Sequence, residues 1–237
     1  MSNIRLFYPE NIIDNSTSLL SKEHTHYVVN VMRLKRGSNL NFFNKNGEWK
    51  SEIVFLDKDR VEVKFLNKVK EPSSSLNIEL AICLVKKNPM ETILQKATEL
   101  GVSKITPIIS ERTEVKELNY ERAKKIVVEA TEQSNQLNPP KISELVKLKD
   151  FLNNLDSSTK LLFADVNSKD NLKKETSSEV KSFSVLIGPE GDFSPSEREL
   201  ILQTSNITPF TLSKNILRSD TAVISAISLV NFINNIH

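Results

Sequence analysis

The sequence predicts two parts of different fold class: a small β-rich domain, followed by an α/β domain with a mostly parallel sheet. In roughly the first seventy residues, short runs alternate between polar and apolar positions, as in half-buried strands. From Asn77 onward, continuous apolar runs alternate with helical patterns, as in α/β folds. Between them lies Glu71-Pro72-Ser73-Ser74-Ser75, whose proline cannot join a strand ladder. We therefore expect domains at 1–72 and 73–237.

The composition is that of an ordinary folded protein. Of 237 residues, 38% are hydrophobic and 26% are charged. The single cysteine, Cys83, excludes a disulfide or a cysteine-based zinc site within one chain. The N-terminal residues lack the layout of a signal peptide, and no stretch approaches the ~18 apolar residues of a membrane span. We expect a cytoplasmic protein that does not bind membranes.

In the β-rich part, residues 39–43 and 48–55 flank a turn at 44–47, where Asn and Gly tolerate positive φ. This pattern predicts a β-hairpin. Residues 60–65 follow with strict alternation, which places one set of apolar side chains on a buried face. That set is Val61, Val63 and Phe65.

The α/β part begins with a buried strand over 78–85. A helix follows, for which Asn88 is the expected N-cap, with Pro89 at the first helical position and Glu91 at the third. Gly101 is expected to end this helix in a left-handed conformation.

A strand over 104–109 comes next, and its internal Pro107 suggests an edge strand or the end of the pairing. Residues 120–133 have apolar positions at helical spacing. The sequence therefore predicts a second pair of strand and helix here.

The remaining elements continue the alternation. Residues 161–164, 183–187 and 207–212 are predicted strands, and Ser194-Pro195-Ser196-Glu197 opens a helix between the last two. The final helix, over about 221–233, is apolar on nearly every side. We expect its own domain or a partner subunit to bury it.

Ligands of open parallel sheets bind beyond the carboxyl ends of the strands, so the loops after the strands are the candidate sites. Gly188-Pro189-Glu190-Gly191 follows one strand, and it holds two of the chain's 5 glycines. Glycine allows close approach of the backbone to a ligand or a positive φ. A tight strand-to-helix turn is the other interpretation of this loop.

A second loop follows Leu212 and carries Ile216 and Leu217, whose apolar side chains need to be shielded from water. An adenine ring and the protein core are both candidates for that role. Asp220, at the start of the last helix, is open to interpretation as an ordinary N-cap.

Several segments together carry a resemblance to a known family. They are 26–37, 95–102, 110–112, 129–134, 186–191 and 212–222. The chain resembles the SPOUT class of RNA methyltransferases. Within that class it is similar to the ribosomal RNA small subunit methyltransferase E family, which methylates N3 of a uridine in 16S rRNA.

The resemblance implies a trefoil-knotted methyltransferase domain preceded by a PUA-like RNA-binding domain. It also implies S-adenosylmethionine as cofactor, 16S rRNA of the small ribosomal subunit as substrate, a homodimer and no metal. The positions that match the family's cofactor site are Leu186, Gly188, Glu190, Gly191, Leu212, Ile216, Leu217 and Ala222.

For catalysis we expect Arg218 to stabilise negative charge on the uracil oxygens, with Glu190 or Asp220 orienting it or accepting the proton. Capping and surface charge are the alternative roles of these three residues. Residues 1–72 hold 12 Lys and Arg against 9 Asp and Glu, which hints at an anionic partner, although solvated surface charge also accounts for it. The candidates for RNA contact are Arg5, Arg33, Lys35, Arg36 and Arg112.

The chain departs from the family pattern at several positions. Asp192, Ser213 and Asn215 replace two usual glycines and an arginine, Asp220 replaces a glutamate, and Asn135-Gln136 replaces an arginine-containing helix end. The missing arginine residues bear on the details of RNA contact. Two rival functions are also open. One is a SPOUT enzyme that methylates a ribose 2′-oxygen, and the other is a non-catalytic RNA-binding assembly factor. A nicotinamide dehydrogenase is disfavoured because the Gly-x-Gly-x-x-Gly spacing is missing.

Overall fold

A computed structural model of the protein describes residues 4–72, 76–173 and 182–234. These residues form two compact units. The first comprises the described residues up to 72 together with 131–138, and the second comprises 76–130 and the described residues from 139 onward. The segment 131–138 carries no pattern that would have assigned it to the first unit. Residues 73–75 of the predicted linker lie outside the described residues.

The first unit contains a mixed five-stranded sheet in the order β1-β3-β4-β5-β2. The β1–β3 pair is parallel and the other pairs are antiparallel. A π-helical turn over Tyr27–Val31 continues α1. The elements are β1 Arg5–Phe7, β2 Thr17–Leu19, α1 Lys22–His26, β3 Asn39–Asn44, β4 Gly47–Leu56 and β5 Val61–Lys70.

The predicted hairpin is confirmed as β3 and β4, in which Asn44 faces Gly47 across a two-residue turn. Gly47 has a φ of 140°, and a Cβ there would lie 2.6 Å from the carbonyl oxygen of Lys70. Glycine is therefore required both by the conformation and by the space. The predicted inner face is also confirmed, since Val61, Val63 and Phe65 are all buried.

Arg5 is a correction to the sequence-based assignment, because the structure gives it a structural role instead of an RNA contact. Its guanidinium pairs with Glu48 at 2.9 Å, and both side chains are only 7% exposed. It also donates to the backbone oxygens of Thr131, Glu132 and Gln136, at 3.3, 3.0 and 3.0 Å. With these acceptors around it, the guanidinium is not available to a phosphate.

The second unit is built on a seven-stranded sheet in the order β12-β10-β11-β6-β7-β8, with β9 also paired to β7. Every described pairing in it is parallel. The elements are β6 Asn77–Cys83, α2 Lys87–Glu99, β7 Lys104–Ile109, α3 Tyr120–Gln133, β8 Lys141–Ile142, β9 Val146–Lys147, α4 Leu148–Asn153, β10 Thr159–Ala164, β11 Ser182–Ile187, α5 Pro195–Leu202, β12 Ile207–Phe210 and α6 Ser219–Ile233. The last three residues of α3 belong to the first unit.

Helices cover both faces of this sheet, as the continuous apolar strands predict. On one face, Val185 and Ile187 of β11 pack in a cluster with residues of α2 and α6. On the other face, Leu186 packs in a cluster with residues of α4 and α5. In the described part of the chain, no helix is long and apolar enough to cross a membrane.

The predicted start of α2 was wrong by two residues. The N-cap is Lys86, whose side chain makes no capping hydrogen bond, and the first helical bond runs from the Met90 N–H to the Lys86 oxygen at 3.0 Å. Pro89 therefore occupies the third helical position, where its missing N–H is not needed within the helix. Gly101, with a φ of 84°, ends the helix as predicted.

The edge position predicted from Pro107 was also wrong, because β7 lies inside the sheet. Its neighbour on one side is β6, and on the other side are two short strands that pair at residues 104–105 and 108–109. Pro107 falls in the gap between those two pairings. The proline thus interrupts the ladder on one side without placing the strand at the edge.

The last helix, α6, packs one face against its own unit through Val223, Ala226, Ile227 and Val230. Phe232 remains 70% exposed. Its own unit therefore buries one face of the helix and leaves another face exposed. Cover by a partner subunit stays a prediction.

Candidate functional site

A cavity of about 1130 Å³ lies at the carboxyl edge of the second unit's sheet, where β12, β10, β11 and β6 end side by side. Its volume is slightly above the usual range for small-molecule sites, about 300–1,000 Å³. The segments that line it are 86–89, 164–166, 187–192, 211–213, 215–219 and residue 222.

Most of the predicted cofactor residues come together in this cavity. They are Gly188, Glu190, Gly191, Leu212, Ile216, Leu217 and Ala222. The exception is Leu186, which is fully buried in the hydrophobic cluster on the other face of the sheet. Alternation along β11 turns its side chain away, and the next residue, Ile187, lines the cavity instead.

The loop after β11 needs its first glycine because of Phe193. A Cβ on Gly188 would lie 3.0 Å from the ring of Phe193, which is itself buried. At Gly191 the nearest atom would be 3.9 Å away, and its φ is not positive, so neither space nor conformation demands a glycine there. The positive φ expected for these glycines is therefore found at neither position, and Gly188 is required instead by its packing against Phe193. Close approach of a ligand to the loop stays a prediction.

The left-handed residue of this loop is Asp192, with a φ of 58°. It stands where the resembled family usually has a glycine. Asp is among the few residues besides glycine that adopt this conformation, because its short side chain bonds locally. Here its Oδ1 accepts from the Phe193 N–H at 2.8 Å, and its own N–H donates to the Pro189 oxygen at 3.0 Å.

The start of α5 holds the surrounding loops. Ser194 and Glu197 form the predicted capping box. The next residue, Arg198, bonds Asp165 with two nitrogens, at 2.7 Å from Nη2 and 3.1 Å from Nε to Oδ2. Asp165 is buried, lines the cavity and also accepts from the Asn167 N–H at 2.9 Å. Its carboxylate is therefore committed to fixing the loop after β10.

The loop after β12 is held by local hydrogen bonds of its hydroxyl residues. The Ser213 Oγ accepts from the Asn215 N–H at 3.0 Å, and the Thr211 Oγ1 donates to the Ser213 oxygen at 3.3 Å. Ile216 is 91% exposed at the cavity wall. Core packing is therefore wrong as the explanation for Ile216, and its apolar surface is available to a ligand.

Two of the three catalytic candidates line the cavity, Arg218 and Glu190. Arg218 is the N-cap residue of α6, and its side chain is 75% exposed. Asp220 does not line the cavity, but its Oδ1 lies 4.0 Å from the Arg218 Nε. The N-cap interpretation of Asp220 is wrong, because the helix begins at Ser219 and Asp220 is already its second residue.

The RNA candidates of the first unit, Arg33, Lys35 and Arg36, are exposed on the turn that leads into β3. Arg112 has a different environment, since its Nη1 donates to the Gly191 oxygen at 2.9 Å and to the Phe193 oxygen at 3.4 Å. It therefore contacts the cavity loop directly.

Two further observations concern the chain's cysteine and possible metal ligands. Burial raises the pKa of the Cys83 thiol to about 12, so this cysteine is not a nucleophile at neutral pH. Among the described residues, no cluster of three or more His, Cys, Asp or Glu side chains is arranged to hold a metal.

Sequence reasoning missed the lining residues Asp165, Lys86 and Lys87. Asp165 directly follows a predicted strand, so the strand-end rule applied there would have found it. The two lysines were missed because the start of α2 was predicted after them, at Asn88.

Comparisons with known proteins agree in their description of the chain. A family model described as an RNA methyltransferase domain matches residues 72–231, and one described as an RNA methyltransferase PUA domain matches residues 20–66. Ribosomal RNA small subunit methyltransferase E of Rickettsia conorii is 33% identical over 98% of this chain and 96% of the relative. The Aquifex aeolicus relative of the same name is 31% identical over 97% of this chain and 100% of its own length.

A solved structure extends the likeness to three dimensions. The crystal structure of ribosomal RNA small subunit methyltransferase E from Neisseria gonorrhoeae, bound to S-adenosyl methionine, matches with a TM-score of 0.90. The identity is 28%, and the match covers 98% of each chain.

The positive φ of Asp192 predicts how substitutions there affect stability. Asp192→Val should lower the free energy of unfolding by about 1–2 kcal/mol, because a β-branched residue strains at this φ and cannot accept from the Phe193 N–H. Asp192→Gly should change it by less than about 1 kcal/mol, because it relieves the strain while losing that bond. Urea unfolding measures both, and equal stability of Asp192→Val and the parent would contradict the account.

Proposed function

The chain belongs to the ribosomal RNA small subunit methyltransferase E family, and we propose that it transfers a methyl group from S-adenosylmethionine to N3 of one uridine in 16S rRNA. The observation that carries this proposal is the cavity at the four strand ends. It is lined by Gly188, Glu190 and Gly191 from one matching loop and by Leu212, Ile216 and Leu217 from the other.

The residues of the cavity fit this cofactor. Gly188 and Gly191 contribute only backbone atoms to the cavity wall, and the exposed Ile216 offers an apolar surface to an adenine ring. When bound, S-adenosylmethionine would supply an electrophilic methyl group, which N3 would accept in exchange for its proton. In this proposal Leu186 contributes through its backbone, because its side chain lies in the core.

The chain's own residues align the acceptor and manage its charge. Loss of the N3 proton leaves negative charge on the uracil oxygens, and the exposed guanidinium of Arg218 is placed at the cavity wall to stabilise it. Glu190, also exposed at the wall, is the candidate that accepts the proton. Asp220, 4.0 Å from Arg218, orients the guanidinium.

The charge of the cavity wall suits RNA. Lys86, Lys87 and Arg218 bring positive charge to the wall, and the Asp165 carboxylate is already neutralised by Arg198. N3 lies on the Watson–Crick edge, so the target base must be unpaired or flipped into the cavity. In the first unit, Arg33, Lys35 and Arg36 are exposed cations available to the RNA backbone.

A homodimer belongs to the same proposal. The exposed Phe232 on α6 supports it, because an aromatic side chain that is 70% exposed in one protomer suits burial against a second copy. Sedimentation velocity would measure the oligomeric state.

The position of the methyl group is the direct test of the function. The purified protein, S-adenosylmethionine and small subunits from a strain lacking this gene should yield 3-methyluridine in 16S rRNA, detected by nucleoside mass spectrometry. A 2′-O-methylated nucleoside would instead indicate the ribose-methylating alternative. Absence of any new methylated nucleoside, with no cofactor binding by calorimetry, would indicate the non-catalytic assembly factor.

The role of Arg218 predicts a loss of rate without a loss of cofactor. Arg218→Ala should slow single-turnover methylation about 10²- to 10³-fold, because the developing charge on the uracil loses its donor. Its dissociation constant for S-adenosylmethionine should stay within about twofold. Lys149→Ala, which removes an exposed cation on α4 away from the cavity, serves as the control and should keep the full rate. Full single-turnover activity of Arg218→Ala would refute the role.

A further inference from the structure

We propose that Arg112 is a positioning residue that holds the cofactor loop, and not a contact for RNA phosphate. This inference rests on the proposed function, because it assumes that the loop around Gly191 binds the cofactor. Arg112 bonds that loop directly, and the turn that carries Arg112 is tied to the end of the same loop through Glu197.

The base of the arrangement is the turn Ser110–Thr113, which follows β7. The Ser110 N–H donates to the Thr113 Oγ1 at 2.9 Å, and the two hydroxyl groups bond each other at 2.8 Å. The Thr113 N–H closes the turn on the Ser110 oxygen at 3.2 Å. Both residues are buried. The turn is therefore locked at both ends and presents its two middle residues outward.

The first middle residue, Glu111, ties the turn to α5. Its N–H donates to the Glu197 Oε1 at 2.8 Å, and the Oε2 of the same carboxylate accepts from the Ser194 N–H at 3.2 Å. One buried carboxylate thus joins the turn to the end of the cofactor loop. Glu197 serves as a capping residue and as a link between two loops.

The second middle residue, Arg112, bonds the backbone of the same loop. Its Nη1 donates to the oxygens of Gly191 and Phe193, and its Cδ lies 3.9 Å from the position of a Cβ on Gly191. The side chain therefore lies over Gly191, which lines the cavity. Bonds from a charged donor are among the stronger ones in proteins.

The loop between Gly188 and Phe193 has little other support on this side. Within it, the Asp192 N–H bonds the Pro189 oxygen, and the Phe193 ring packs under Gly188. Neither contact restrains the carbonyl of Gly191. Arg112 supplies that restraint, and it keeps the backbone of the cavity wall in one position before the ligand arrives.

The phosphate role and the positioning role of Arg112 predict opposite results. If Arg112 contacts phosphate, its removal should weaken RNA binding and reduce the salt dependence of that binding, while the affinity for the cofactor stays unchanged. If Arg112 positions the loop, its removal should weaken the binding of the cofactor, while the salt dependence of RNA binding stays unchanged. Arg122 is a suitable control, because it is an exposed arginine that pairs with Glu91 on α2 and does not line the cavity.

The test is calorimetric titration with S-adenosylmethionine, together with steady-state kinetics. Arg112→Ala should raise the dissociation constant and the KM for S-adenosylmethionine about 10- to 100-fold, as expected for loss of a charged hydrogen bond. Its kcat at saturating cofactor should stay within about threefold, because the loop still closes on a bound ligand. Arg112→Lys should recover part of the affinity, and Arg122→Ala should match the parent.

Thr113→Val tests the same contact without removing the guanidinium, because it removes the hydroxyl that holds the turn carrying Arg112. It should weaken cofactor binding less than Arg112→Ala does, and the double variant should be no weaker than Arg112→Ala, because both changes act through one contact. This variant and Arg112→Lys keep the proposal testable if Arg112→Ala does not fold. Unchanged cofactor affinity in all three variants would overturn the positioning role, and a reduced salt slope of RNA binding would assign Arg112 to phosphate. Failure of the parent protein itself to bind the cofactor would instead contradict the proposed function.

Discussion

The site depends on one constraint, the parallel pairing of β12, β10, β11 and β6. Parallel strands end at the same edge, so four loops that are distant in sequence are placed within about 14 Å of one another. The alternation of side chains along β11 divides the faces: Ile187 reaches the cavity, while Leu186 stabilises the core on the other side. A shift of one residue in that register would exchange the two.

Around this edge, side-chain hydrogen bonds hold the loops of a chain that is poor in glycine. Asp192 adopts the left-handed conformation, and its own carboxylate caps the turn. Glu197 and Arg198, adjacent at the start of α5, fix the loops on either side of it. Because these contacts come from helix and turn residues, the backbone around the cavity is set by the fold and does not require the ligand.

Periodicity predicted the longer strands, the main helices and both principal loops, since apolar spacing reports burial directly. It missed β1, β2, β8 and β9, which have two or three residues each and are too short for any period, and it missed the short helix α4. Sequence reasoning also missed the contacts that Arg5 and Arg112 make, because the sequence does not tell whether a guanidinium bonds a phosphate, a carboxylate or a carbonyl. The trefoil knot came only from the family resemblance and stays a prediction, since periodicity carries no information on threading.

The central claim is that the cavity at the four strand ends holds S-adenosylmethionine, and a crystal structure of the protein grown with this cofactor tests it most directly. We expect ordered density in the cavity between the loop at Gly188–Gly191 and the loop at Leu212–Leu217, with the adenine against Ile216. A cofactor bound elsewhere on the chain, with this cavity holding only water, would contradict the account.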